Sequence, residues 1–170
     1  LNPFKTMVQF LSLTSSVAAL VLLSLGINDV AAATCTVARS GGDDASNIKS
    51  AFNKCKNGGT VVFTKGVTYN LKSMIDIDGL KNVNINFAGG INLPARSSAF
   101  KGQNHYIRIK GDNINMYGGG TINGNGQAWY DAEDHTAPTV LRFAATNSKV
   151  SHVNIVNAPR AHLGITNCKN

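Results

Sequence analysis

The chain is short of acid. Nine Asp and Glu stand against sixteen Lys and Arg, a formal net charge of +7, and the pI is near 9.5. A basic surface favours acidic partners, either an anionic polysaccharide or a nucleic acid. The cations are scattered singly and are not interleaved with aromatics, so no nucleic-acid partner is expected. His105, His135 and His152 stand apart from other ligating residues, which argues against a metal site, and nothing calls for a cofactor. No Asn-x-Ser/Thr sequon occurs, so ordinary N-glycosylation is not expected. After Gly59 no helical pattern appears, which argues against a doubly wound α/β sheet.

Long apolar runs are also scarce. The one candidate, Phe10 to Leu25, falls short of the roughly 20 residues a membrane span needs and carries Ser12, Thr14, Ser15 and Ser16. It is followed by Val30-Ala31-Ala32-Ala33, and a short apolar core ending in small residues is the pattern of a secretory signal peptide. A membrane-spanning helix and a buried core helix are the competing readings. The only cation ahead of the run is Lys5, upstream of Met7, so Leu1 to Thr6 reads as leader sequence. Residues 1–33 are therefore expected to be leader and signal peptide, and residues 34–170 a single extracellular domain. Once the signal is cleaved, no membrane association is expected. Cysteine is sparse and odd in number. A secreted context makes a Cys35–Cys55 bridge the expected pairing, and leaves Cys168 over.

What is present is one helix and many short strands. Asp43 and Asp44 are N-cap candidates, and Ala45, Ile48, Ala51, Phe52 and Cys55 fall on one helical face before Asn57-Gly58-Gly59 stops the helix. Beyond it, β-branched runs recur, each ended by Gly, Asn or Pro: Thr60–Phe63, Val67–Leu71, Val83–Phe87, Tyr106–Ile109, Ile114–Tyr117, Thr139–Phe143, Val153–Val156 and His162–Thr166. Three are near copies: Asn82-Val83-Asn84-Ile85-Asn86, Asn113-Ile114-Asn115-Met116 and His152-Val153-Asn154-Ile155-Val156-Asn157. Imperfect repeats of this kind point to a solenoid, with apolar residues in a stacked core and Asn laddered between coils. A β-sandwich is the alternative, but its strands need not resemble one another. The expected fold is all-β, a right-handed parallel β-helix with the short helix capping its first coil.

These residues carry a resemblance. Asp43-Asp44-Ala45, Cys55, Gly58-Gly59-Thr60-Val61-Val62-Phe63 and Gly66-Val67-Thr68-Tyr69 look like the start of fungal polygalacturonases. The block Gly118-Gly119-Gly120-Thr121-Ile122-Asn123-Gly124-Asn125-Gly126-Gln127-Ala128-Trp129-Tyr130-Asp131 is similar to that family's glycine–tryptophan signature, and Asn157-Ala158-Pro159 to Asn167-Cys168 resembles its next coil. The chain is identified as an N-terminal portion of the polygalacturonase family (glycoside hydrolase family 28), nearest in texture to the fungal exopolygalacturonases. The resemblance implies a secreted enzyme, a monomer at full length, that hydrolyses α-1,4-galacturonosyl linkages of polygalacturonate (pectin) with inversion. Its acid and base carboxylates would stand about 6.5–9.5 Å apart. A rhamnogalacturonan hydrolase, a pectate lyase or a non-catalytic polysaccharide-binding β-helix are the alternatives.

In that family the carboxylates come from an Asn-Thr-Asp motif and an Asp-Asp pair, followed by Gly-His-Gly and Arg-Ile-Lys. Gly42-Asp43-Asp44 and Arg108-Ile109-Lys110 match two of these strings in letters but lie in the wrong context, and neither is assigned to catalysis. Neither Asn-Thr-Asp nor Gly-His-Gly occurs in the chain, so the catalytic residues are expected C-terminal to Asn170, and this chain alone is expected to be inactive. Arg160 and His162 are the candidate substrate-binding residues, with a surface loop as the plainer reading. Trp129 and Tyr130 read as packing rather than as a sugar platform, and Asp131 as a brace for their turn.

Overall fold

Strict alternation of apolar and polar residues gives strands with one inward face, and here those strands wind into a three-sided coil. The computed structural model describes residues 32–168; the expected leader and signal peptide lies, apart from Ala32 and Ala33, outside the described residues. The chain runs β1 (Thr34–Thr36), α1 (Ala45–Cys55), β2 (Thr60–Phe63), β3 (Thr68–Asn70), β4 (Ile75–Phe87) and β5 (Gly90–Asn92). It continues through β6 (His105–Tyr117), β7 (Thr121–Asn123), α2 (Gln127–Asp131), β8 (Thr139–Thr146), β9 (Lys149–Val150), β10 (Asn154–Val156) and β11 (Leu163–Ile165). The paired strands are all parallel. This is the expected parallel β-helix.

The long strands β4 and β6 each turn a corner. In β4 the register slips between Ile77 and Leu80, where Gly79 takes φ +75°. The first parts of β4 and β6, with β8 and β11, form one side. Their second parts, with β1, β2 and β9, form the next. The third side is the separate sheet β3–β5–β7–β10.

Each side contributes columns of stacked apolar residues. Ile77, Ile109, Phe143 and Ile165 align on the first side, Val61, Ile85, Met116 and Val150 on the second, and Tyr69, Ile91, Ile122 and Ile155 on the third. Phe63 meets Tyr69 edge-on at 5.4 Å between ring centres, and Phe87 at 5.1 Å. Such edge contacts add stabilisation beyond the area they bury, about 0.5–1.5 kcal/mol each.

The helix caps this stack. Its buried residues are Ala45, Ile48, Ala51, Phe52 and Cys55, the five read from helical spacing. Phe52 approaches Phe63 at 6.3 Å between centroids, and Ile48 and Phe52 close the interior over Phe63, Ile75 and Ile85. The Cys35–Cys55 bridge joins β1 to the last helical residue across a Cα–Cα distance of 6.0 Å, while Cys168 is free and exposed.

The N-cap differs from the expectation. Asp44 occupies the cap position without a side-chain cap bond. Its carboxylate instead accepts from the Ser40 amide (2.6 Å), the Ser40 hydroxyl (2.8 Å) and the Asn70 amide (2.8 Å). Asp43 accepts from the amides of Ala45 (3.1 Å) and Lys72 (2.9 Å) and from the Ser73 hydroxyl (2.6 Å). The pair therefore stitches the helix start to the corner after β3, a partner that local spacing does not reveal.

Asparagine marks corners as well as strands. Asn82, Asn113 and Asn147 adopt φ of 54°, 51° and 49° and follow the aligned residues Lys81, Asp112 and Thr146. The left-handed region costs most residues about 1–2 kcal/mol, a penalty Asn tolerates well. The Asn113 amide nitrogen donates to Asn82 Oδ1 at 2.8 Å, so the expected ladder is present at this corner. Of the three near-copies, the two beginning at Asn82 and Asn113 lie side by side on the second side. The third lands elsewhere: His152 takes the same left-handed conformation at φ 53°, but Asn154–Val156 pairs with β7 on the third side. The repeated pattern encodes a left-handed corner followed by a strand, not a particular corner.

Candidate functional site

The outer surface of the first side carries a row of charged residues set by strand register. Asp76 on β4 aligns with Arg108 on β6, Arg108 with Arg142 on β8, and Arg142 with Gly164 on β11. Neighbouring parallel strands stand about 4.8 Å apart, so successive members of the row are neighbours. Arg108 is matched by acid: its Nε lies 2.9 Å from Asp76 Oδ1 and its Nη2 3.1 Å from Asp78 Oδ2. His105 Nε2 also lies 2.8 Å from Asp76 Oδ1. Arg142 is half-buried and has no acidic partner among the described residues.

The two motif look-alikes thus have structural contacts. In Arg108-Ile109-Lys110, the arginine is ion-paired and Ile109 points into the core at 2 % exposure. Asp43 and Asp44 hold the cap; burial opposes their ionisation, but the hydrogen bonds outweigh it and hold both carboxyls below their ordinary value.

Arg160 and His162 lie in the turn between β10 and β11, both exposed, next to buried Ala158 and Pro159. Backbone bonds from Val140 N to Ala161 O (2.9 Å) and Leu141 N to His162 O (3.2 Å) fix this turn to β8, beside the charged row. Neither side chain makes a hydrogen bond or ion pair among the described residues, so both are free to meet a ligand.

The glycine–tryptophan block is what seats this turn. Gly124 N donates to Val156 O and Gly126 N to Asn157 O, both at 2.8 Å. A Cβ at Gly126 would stand 2.6 Å from Pro159 Cα, and one at Gly124 2.6 Å from Asn157 O, so only glycine lets the two backbones meet. The Tyr130 hydroxyl adds a bond to Ala158 O at 2.9 Å. Trp129, 1 % exposed, is packing, whereas the Tyr130 ring stays 58 % exposed. Asp131 accepts from the Gln127 side chain at 2.7 Å, bracing the short helix α2.

The block is anchored in turn to the preceding loop. Asp134 pairs with Arg96 Nη2 and Lys101 Nζ, each at 3.0 Å, and accepts from the Thr136 hydroxyl at 2.6 Å. The Thr136 and Lys101 contacts, with Arg96, hold its carboxyl well below the usual range. Arg96 also lies over the Trp129 ring at 5.8 Å, within cation–π reach. Sequence reading missed this clamp, because its members sit in different coils and no local pattern joins them.

Residues 29–170 match the family described as glycosyl hydrolases family 28. The chain is 60 % identical over 167 residues to exopolygalacturonase rpg16 of Rhizopus delemar, covering 96 % of this chain and 43 % of that protein. It is 33 % identical over 150 residues to an exopolygalacturonase of Cochliobolus carbonum, covering 79 % of this chain and 34 % of that one. Among solved structures it resembles endo-xylogalacturonan hydrolase from Aspergillus tubingensis, with a TM-score of 0.71, 29 % identity, and coverage of 78 % of this chain and 39 % of that one. The chain spans about two fifths of the length of the curated relatives it matches. With its parallel coils and glycine–tryptophan block, the chain belongs to the glycosyl hydrolases of family 28.

Proposed function

We propose that this chain forms the N-terminal coils of an exo-acting polygalacturonase that hydrolyses the α-1,4 linkages of polygalacturonate with inversion. The observation that carries this reading is the 60 % identity to an exopolygalacturonase across nearly the whole chain. That likeness is far stronger than the 29 % identity to the endo-acting xylogalacturonan hydrolase, so exo action on polygalacturonate is preferred. In this proposal the described coils are scaffold and substrate surface. The general acid and the water-activating base, about 6.5–9.5 Å apart in an inverting enzyme, belong to coils C-terminal to Asn170.

Arg160 and His162 are assigned to hold substrate carboxylates at the edge of the first side. Arginine suits this role because its planar fork matches a carboxylate with two parallel hydrogen bonds. Secretion belongs to the same proposal: residues 1–33 act as leader and signal peptide, and the Cys35–Cys55 bridge suits an oxidising compartment. Among the described residues no helix is long and apolar enough to cross a membrane.

The test is the product pattern from polygalacturonate with the protein that carries these coils and the coding sequence continuing after Asn170. Galacturonic acid as the first product supports the proposal. Oligomers appearing first would overturn exo action, and no hydrolysis would overturn the whole reading. Substituting Arg160 or His162 should raise KM; unchanged KM in both would remove their assigned role.

A further inference from the structure

We infer that Arg142, lying across the bare backbone of Gly164, is a second anion position on the first side that takes the carboxylate of a uronate chain. It rests on the pectin-active reading above. The ground is a mismatch of charge within one register row. Arg108 and Arg142 are aligned neighbours on adjacent strands, and like charges directly opposite each other repel. Arg108 is neutralised by Asp76 and Asp78. Among the described residues nothing comparable faces Arg142: across the sheet lie Arg108 and Gly164, and on its own strand Val140 and Ala144 stand two positions away.

The arginine is also not simply solvated. It is half-buried, and its Nε is buried without a hydrogen-bond partner among the described residues. A cation in that setting favours an acceptor that can use its planar fork, and a carboxylate is the matching shape. Gly164 leaves this flank of the arginine uncovered: a Cβ there would make ordinary van der Waals contact with it, 3.4 Å from Arg142 Cγ and 3.7 Å from Nε, and without a side chain that surface stays open to a ligand. The Arg160–His162 turn is fixed to the same strand through Val140 and Leu141. A chain bearing a carboxylate on each sugar can therefore be held at both places along this edge.

The test is titration of the chain with unesterified oligogalacturonate and with its methyl ester, comparing wild type with Arg142→Gln, Arg142→Lys and Gly164→Asp. Wild type should bind the acid form and not the ester. Arg142→Gln should weaken binding tenfold or more, and Arg142→Lys, which keeps the charge but loses the fork, several-fold. Gly164→Asp places a carboxylate beside Arg142 within the chain; it should compete with the ligand while leaving the unfolding midpoint equal or higher. The folded control Lys49→Gln, on the exposed face of α1, should bind as wild type. Wild-type affinity in Arg142→Gln, or undiminished affinity in Gly164→Asp, would overturn the inference. So would failure of the wild type to prefer the acid form; the product assay then decides the enzymatic reading separately.

Discussion

Replacing both Cys35 and Cys55 with alanine should cost about 3 kcal/mol of stability. The bridge closes a sequence separation of 20 residues, and the loop-closure relation assigns about 3 kcal/mol to a loop of that size. Its structural setting supports the full value. Cys55 is 1 % exposed, and α1 stands over the open first coil, where no earlier coil among the described residues shares the load. Repeat folds draw stability from neighbouring units, so a loosened cap weakens the first coil most. Both cysteines must be changed together, since a single substitution leaves a thiol able to pair with Cys168. Urea unfolding followed by far-ultraviolet dichroism should show the midpoint fall by about 1–3 M, given slopes of roughly 1–3 kcal/mol/M. Cys168→Ala, at an exposed position, should change stability by less than about 0.5 kcal/mol. A double-alanine variant losing under about 1 kcal/mol would refute the view that the bridge holds the cap.

Gly126→Ala should destabilise by about 1–3 kcal/mol, the usual cost of overpacking, because its Cβ would meet Pro159 backbone atoms at 2.6 and 2.7 Å; thermal melts followed by Trp129 fluorescence check this. The carboxyls of Asp43 and Asp44 are held below their ordinary value despite burial. Their stabilising contribution is therefore complete above about pH 4 and is lost as pH falls through the lower folded-state values. Asp44→Asn should be less stable at pH 7 and should show a shallower acid loss below about pH 4; urea midpoints from pH 2.5 to 7 would reveal a contrary slope. At the far end of the winding, Val156 on β10 and Leu163 and Ile165 on β11 are 40 %, 39 % and 64 % exposed, and both strands pair on one side only among the described residues. Such an edge templates association, so the chain should elute as oligomers in size-exclusion chromatography with light scattering, and Ile165→Lys should shift it towards monomer.

The buried face of the helix was legible because its five positions are a local, periodic property, whereas the contacts of Asp43 and Asp44 were not. Strands with two or more inward residues were legible for the same reason, as in Thr60–Phe63 and Thr139–Phe143. Strands β5 and β7 were not. Each holds one inward residue, Ile91 or Ile122, and the glycines before them, Gly89-Gly90 and Gly118-Gly119-Gly120, carry no side chain to show the alternation. The start of β4 is the exception: Ile75-Asp76-Ile77 holds two inward residues, but the alternation ends at Gly79, where the chain bends, leaving too short a run to read. The site divides along the same line. Arg160 and His162 could be singled out because they follow Asn157-Ala158-Pro159, which resembles a family coil. Arg142 could not, since an arginine in an alternating strand reads as an ordinary solvent-facing residue. One signal was available: Ile107-Arg108-Ile109 and Leu141-Arg142-Phe143 share the same inward–outward–inward pattern, which predicts that they align. What no local pattern contains is that only one of the two arginines has acid beside it.

The corners of the coil explain why the candidate residues gather where they do. Turns from the first side to the second depend on left-handed asparagines such as Asn82 and Asn113, bonded to each other across coils. An insertion there would break a ladder at every level. The corner between the third and first sides also holds left-handed asparagines, Asn125 and Asn157 at φ 49°, and Asn157 Nδ2 donates to Asn123 Oδ1 at 3.2 Å. Yet it carries the long connections 93–104, 124–138 and 157–162. They are not independent loops. Asp134 ties the first to the second through Arg96 and Lys101, and Gly124, Gly126 and Tyr130 seat the third on the second. The turn carrying Arg160 and His162 is thus positioned by a relay of contacts that begins two coils earlier. A rigid site on rigid strands needs only register; a site on long loops needs this stacking, each loop serving as the floor of the next. The glycines of the tryptophan block fit that requirement better than any role in touching substrate, because they are the points where one floor meets the next backbone.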